Sequence, residues 1–102
     1  MFTRFSGLTG IVTGADDIAS RIINALKLQG INIPGDISIS GFGNVPQIVP
    51  IFDLTSIEQH GFELGAFAAN RLIDIIEKKY MKESFYELLP CDLVRRHSIR
   101  QL

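Results

Sequence analysis

The sequence lacks the features that would place it in several large classes of protein. It has a single cysteine, Cys91, which excludes an intramolecular disulfide framework. No apolar run reaches the ~18 residues of a transmembrane helix, and the N-terminus has no apolar segment of the kind found in signal peptides. The formal net charge is only −1, so no basic surface for nucleic acid is indicated. We therefore expect a cytoplasmic protein without membrane contact.

The usual arrangements of catalytic and metal-binding residues are also missing. The two histidines, His60 and His97, lie far apart and have no cysteine or histidine at metal-ligand spacing. No serine stands in a G-x-S-x-G turn, and no G-x-G-x-x-G follows a strand. The sequence therefore predicts no enzyme activity, no bound metal ion and no cofactor.

Strand and helix patterns alternate along the 102 residues, whose composition is that of one small globular domain. The predicted elements are a buried strand at 10–14, a helix from Asp16 stopped by Gly30, strands at 37–41 and 54–57, a helix at about 61–79, and an extended segment at 85–94. This order predicts an α/β fold with a largely parallel sheet flanked by helices. The second helix carries more apolar surface than these elements can cover, so the chain resembles part of a larger fold.

Two segments follow the carboxyl ends of the first two predicted strands, where open α/β sheets bind ligands. In the first segment, Asp16 and Asp17 could be an acid pair or metal ligands, but capping of the helix by Asp16 explains them better. In the second, Gly41 and Gly43 would either let the backbone approach a ligand or simply form a turn, and the turn is the favoured interpretation.

The segment from Val45 to Phe52 is unusually apolar for a loop and is interrupted by Pro46 and Pro50. One interpretation is that it folds back over its own sheet. The other, which is favoured, is a subunit interface, because contiguous exposed apolar surface usually marks one.

These patterns, in this order, resemble the C-terminal half of the effector-binding core of lactose-repressor-like (LacI/GalR) transcription regulators. The resemblance runs from about Gly10 to Ser98 and is carried by GIVTGADDIA, GINIPGDIS, GF, LTSIEQ, ELG and LVRRHS. It implies a periplasmic-binding-protein-like fold (type I), in which two α/β subdomains clamp a sugar. Only C-terminal subdomain elements and the last crossovers have counterparts here. Residues 1–102 are thus expected to be a C-terminal portion of an effector-binding and dimerisation domain.

The resemblance also implies the positions of the ligand site. Many family members have an asparagine at the position of Ala15 and an aspartate at that of Gly43, and both bind sugar hydroxyls. Their absence here removes two groups that bind sugar hydroxyls. The SISGFGN segment most resembles regulators of sucrose and related fructosides, and an altered or lost effector specificity is the equal alternative. The residues expected to contact the ligand are Ala15, Asp16, Gly43, Asn44 and Gln59.

The same resemblance implies a homodimer that pairs across a two-fold axis. Its expected interface consists of Ile18, Ile22, Val45, Ile48, Val49, Ile51 and Phe52. The implied function is that of a sugar-responsive LacI-type regulator, which would bind DNA only through an N-terminal helix-turn-helix without a counterpart here. The alternative is a sugar-binding protein of a transport system, which shares the fold. LVRRHS favours the regulator, and an enzyme on a flavodoxin-like fold is the third and weakest hypothesis.

Overall fold

The computed structural model describes residues 7–77 and 87–102. The chain forms two compact units, one made of Met1–Glu58 with Asp92–Leu102 and the other of Gln59–Cys91. The elements are β1 (Gly10–Val12), α1 (Asp16–Leu28), β2 (Ser38–Ser40), α2 (Val49–Phe52), β3 (Ser56–Glu58), α3 (Gly61–Ile76) and β4 (Asp92–Val94). The predicted continuation of the long helix to 79 and the start of the extended segment at 85 lie outside the described residues.

The first unit contains two short pairs of strands. β1 and β2 are parallel, with Ile11 opposite Ile39, and a single parallel bridge joins Ser40 to Thr55. β3 and β4 are antiparallel. The predicted α/β class with parallel strands is confirmed, but this last pair departs from a parallel sheet. The reason is connectivity: the chain leaves the first unit along β3, forms the second unit, and returns along β4.

The core of the first unit lies between α1, β2 and the segment around α2. Helical spacing brings one face of α1 inward, and Ile39 of β2 belongs to the same buried cluster. The buried apolar residues are Ala19, Ile23, Leu26, Ile37, Ile39, Val49 and Leu54. Ile37 and Ile39 are two residues apart in an extended segment and are both buried, as the alternation of isoleucine and serine there favours.

The end of α1 follows the prediction and its start does not. Gly30 has a φ of 75°, and the amides of Gly30 and Ile31 bond to the carbonyls of Lys27 and Leu26, both at 3.0 Å. This is a Schellman ending, with glycine where a left-handed residue is required. At the start, extended Ala15 is the N-cap and forms no side-chain cap bond. The prediction that Asp16 caps the helix is wrong, because Asp16 is its first residue.

The first strand is less buried than predicted. Ile11 packs against the core cluster, but Val12 points to the opposite face of the sheet, where its side chain is 88% exposed. A strand buried on both faces needs a covering layer on each. Within the described residues, only the face that carries Ile11 has such a layer.

The second unit is dominated by α3, none of whose residues is buried. An apolar groove of about 420 Å³ runs along the helix, lined by Leu64, Phe67, Ala68, Arg71, Leu72, Ile75, Glu87 and Leu89. The Arg71 Nε donates to Glu87 Oε1 at 2.8 Å. The excess apolar surface expected of this helix is therefore present.

In the described part of the chain, no helix has both the length and the apolar character to cross a membrane.

Candidate functional site

The carboxyl ends of β1 and β2 bring together two segments that the sequence separates. The Thr13 amide donates to the Ser40 carbonyl at 3.0 Å, and the Asp16 amide donates to the Phe42 carbonyl at 3.1 Å. These bonds hold the first turn of α1 against the loop of residues 41–45, which we call the β2 loop. Ala15, Asp16, Gly43 and Asn44 thus lie at one edge of the first unit. Gln59 belongs to the second unit.

The Asp16 side chain lies inside the protein and is only 1% exposed. Its Oδ1 accepts a hydrogen bond from the Ser56 hydroxyl at 2.6 Å, and its Oδ2 accepts one from the Val45 amide at 2.7 Å. Two donors compensate for the loss of water around a buried carboxylate. Asp16 therefore bridges α1, the β2 loop and β3. Because the Asp16 side chain faces inward and both of its oxygens are bonded within the protein, we do not propose that it contacts a ligand directly.

The two glycines of the β2 loop serve different purposes. A Cβ atom on Gly41 would lie 2.1 Å from Asp16 Oδ1 and 3.2 Å from Asp16 Cα. Gly41 is therefore required for close approach, but to the protein's own helix. Gly43 has a φ of 119°, which L side chains rarely adopt. The turn interpretation fits Gly43 and does not account for Gly41.

Asn44 and its neighbours fasten the β2 loop along β3. The Asn44 amide donates to the Ser56 hydroxyl at 2.9 Å, and its Nδ2 donates to Glu58 Oε1 at 3.2 Å. The amides of Gly41 and Gly43 donate to the carbonyls of Thr55 and Ile57, both at 2.9 Å. Asn44 Oδ1 is buried and has no hydrogen-bond partner among the described residues. The loop is thus fixed by specific bonds and not by apolar packing alone.

The sequence analysis missed Ser56, whose side chain is completely buried. Leu54 and Ser56 are two residues apart in an extended segment, so both fall on the same side of it. A hydroxyl on the same side as a core leucine needs a hydrogen-bond partner. That pattern is the signal that could have pointed to Ser56. The identity of its partner, Asp16, depends on the fold.

The expected interface residues divide into two groups. Val49 is 5% exposed and belongs to the core, while Ile22, Ile48 and Phe52 pack partly against it. The assignment of Val49 to a dimer interface is therefore corrected, because its side chain points into the core. Val45 is half-buried. The side chains of Ile18 and Ile51 are 47% and 72% exposed, and these two are available for contact with a partner.

No cluster of three or more acidic, histidine or cysteine side chains that could hold a metal ion occurs in residues 7–77 and 87–102. Asp16 and Asp17 separate: Asp16 is buried and bonded to Ser56 and Val45, whereas Asp17 is exposed in the first turn of α1. A negative charge at that position is favourable for the helix dipole. The two aspartates therefore do not form an acid pair.

The family model for the periplasmic binding protein-like domain matches residues 4–99. The chain belongs to this family. The ribose operon repressor of Halalkalibacterium halodurans is 35% identical over 96 residues, which cover 91% of this chain and 28% of the repressor. The transcriptional regulator RegA of Clostridium saccharobutylicum is 33% identical over 90 residues, which cover 87% of this chain and 27% of RegA.

Solved structures give the same assignment. A LacI family transcriptional regulator from Enterococcus faecium with bound ribose superposes with a TM-score of 0.77 at 33% identity, over 95% of this chain and 36% of that chain. The transcription regulator CcpA of Lactococcus lactis gives 0.81 at 26% identity, over 95% and 36%. The expected likeness to LacI-type regulators is confirmed for their periplasmic binding protein-like domain. This chain spans less than a third of the length of the curated relatives.

Proposed function

We propose that residues 1–102 form a C-terminal portion of the effector-binding and dimerisation domain of a sugar-responsive LacI-type transcriptional regulator. The observation that carries the proposal is the edge at which Ala15, Gly43 and Asn44 meet, because open α/β proteins bind ligands beyond the carboxyl ends of their strands. The names of the relatives, which are regulators of transcription, support a regulator over a transport protein. DNA binding is assigned to a domain outside these residues, and such a regulator would act in the cytoplasm.

The proposed ligand-facing residues of the first unit are Ala15, Gly43 and Asn44; contact of Gln59, which belongs to the second unit, with a ligand stays a prediction. Ala15 and Gly43 offer no side-chain hydrogen bond, so hydroxyl recognition at these two positions is reduced. Two sugar classes are candidates. Ribose is supported by the repressor and the ribose-bound regulator similar to this chain, and sucrose or related fructosides by the SISGFGN segment.

The effector proposal predicts a large difference between this chain alone and the same residues in a complete clamp. A chimera in which they replace the matching segment of the Halalkalibacterium ribose operon repressor should bind ribose or sucrose. The 102-residue chain should bind either sugar at least ~100-fold more weakly, because sugar-sized pockets normally bury ~70–90% of the ligand surface. Isothermal titration calorimetry with ribose, sucrose, fructose and galactose measures the affinities of the chimera and of the chain alone.

A folded chimera that binds none of these sugars would contradict the effector proposal. Low-micromolar binding by the chain alone would contradict the idea that a second subdomain is needed. Gly43→Asp, which restores the aspartate common in the family, is a poor probe of the ligand site. The φ of 119° strains any side chain, and its Cβ would lie 3.8 Å from Asp16 Oδ2. Asn44→Gly is a better probe of the site, because glycine adopts the φ of 53° at this residue without strain; it removes the Asn44 side chain together with its bond to Glu58 Oε1.

The dimer proposal predicts that Ile51→Asp converts the chain from dimer to monomer. Ile51 is 72% exposed, so a carboxylate there stays hydrated in the monomer. In a two-fold interface the change occurs twice and places two carboxylates in an apolar seam. Sedimentation velocity at increasing concentration measures the association. Ile48→Asp is less informative, because Ile48 packs partly against the core and its replacement would also destabilise the monomer.

Val12→Asp is the matched control for this experiment. Val12 is exposed and apolar like Ile51 but lies on β1, outside the proposed interface. Its replacement should leave the dimer intact. The dimer proposal fails if the unsubstituted chain stays monomeric at high concentration, or if Ile51→Asp associates as tightly as the unsubstituted chain.

A further inference from the structure

Three segments of the first unit that are distant in sequence meet at the Asp16 carboxylate. Asp16 itself belongs to the first turn of α1. One of its oxygens accepts from the Val45 amide at 2.7 Å and the other from the Ser56 hydroxyl at 2.6 Å. A buried carboxylate requires such donors, and here they come from the β2 loop and from β3. The carboxylate is thus a junction and not a surface group.

Ser56 extends this junction by one more bond. Its hydroxyl accepts from the Asn44 amide at 2.9 Å while it donates to Asp16 Oδ1. The amides of two adjacent loop residues, Asn44 and Val45, therefore end on the same carboxylate, one through the hydroxyl and the other directly. Bonds linked in this way polarise and strengthen one another. The conformation of the loop at Gly43 and Asn44 depends on a side chain that lies behind it.

We infer that Asp16 is a positioning residue for the ligand-facing loop. It fixes Gly43 and Asn44 in place from the protein interior, and through Ser56 it couples that loop to β3. A displacement of the loop would therefore also disturb its bonds to β3. The inference rests on the proposed function only in stating that the loop faces the ligand.

Amide hydrogen exchange of the 102-residue chain, measured by NMR without ligand, tests the positioning role. Asp16→Ala removes both acceptors, so the Asn44 and Val45 amides should exchange about tenfold faster or more, relative to the change at reference amides in the same unit. Asp16→Asn should restore protection, because its amide oxygen can accept from Val45 and its NH₂ can donate to Ser56. The Gly30 and Ile31 amides at the other end of α1 serve as references.

Ser20→Ala is the matched control on the same helix. It removes the bond from the Ser20 hydroxyl to the Asp17 carbonyl at 2.7 Å, which does not involve the β2 loop, and should leave loop exchange unchanged. If Asp16→Ala does not fold, Ser56→Ala decides the question. It should release the Asn44 amide while the Val45 amide keeps its bond to Asp16.

A merely structural role for Asp16 would raise exchange at all reference amides by the same factor as at Asn44 and Val45, and this result would overturn the inference. Unchanged Asn44 exchange in Ser56→Ala would also overturn it. Neither measurement needs a sugar. A failure of the effector proposal, seen as absent sugar binding by the chimera, is therefore distinguishable from a failure of the positioning role.

Discussion

Gly41→Ala should destabilise the first unit by about 3–5 kcal/mol, the combined cost of overpacking and of losing bonds to a buried carboxylate. The new methyl group would lie 2.1 Å from Asp16 Oδ1 and 3.0 Å from Leu54 Cδ2. Neither neighbour can move freely: Asp16 is bonded to Ser56 and Val45, and Leu54 is completely buried. Since whole domains are stable by only ~5–15 kcal/mol, the substitution should remove a large share of the stability of the first unit.

Urea denaturation followed through the NMR signals of first-unit amides measures this effect. Gly14→Ala is the matched control, because a Cβ at Gly14 meets no atom within 4 Å. It should change the free energy of unfolding by less than about 1 kcal/mol, as expected for a glycine in unstrained open space. Equal urea midpoints of unfolding for Gly41→Ala and the unsubstituted chain would contradict the close approach of α1 to the β2 loop.

Ser98→Ala should cost about 2–4 kcal/mol, because it leaves two buried backbone groups without partners. The Ser98 side chain is 2% exposed. Its hydroxyl donates to the Ile39 carbonyl at 2.6 Å and accepts from the Thr55 amide at 2.8 Å. Its backbone carbonyl also accepts from the Ile39 amide at 2.9 Å. One residue near the C-terminus thus links β2 to the segment that enters β3.

The matched control for this substitution is Ser38→Ala on β2. The Ser38 hydroxyl accepts from the Arg100 amide at 3.0 Å in an exposed position, where water can replace the lost bond. Its removal should change stability by no more than ~0.5 kcal/mol, as for most surface substitutions. If both serine variants unfold at the same urea concentration as the unsubstituted chain, Ser98 does not join the two strands as described.

The parts of the fold that sequence predicts are those determined by local chemistry. The stop of α1 at Gly30 follows from the need for a left-handed residue, and the inward side of β2 follows from its alternation. The antiparallel return of β4 was not predicted, because it depends on how the chain passes through the second unit. The exposure of Val12 depends in the same way on which layers are present.

The candidate site shows a similar division. The edge of the sheet could be located from GADD and GFGN, because parallel strands place their carboxyl ends together. The role of Gly41 could not be predicted, because the atom that excludes a side chain there belongs to Asp16, far away in the sequence. Nor could the apolar run after the loop be divided between core and surface. A single turn of helix directs Val49 inward and Ile51 outward, and only the fold decides which is which.

The pairing of β3 with β4 has a consequence for the modular construction of the chain. Glu58 lies opposite Asp92, and every residue between them belongs to the second unit. β3 and β4 therefore form a β-hairpin of the first unit in which the second unit takes the place of the turn. Because the entropy of closing a loop grows only slowly with its length, the hairpin tolerates a long insertion. A change in the length of the second unit should thus leave the register of β3 and β4 intact.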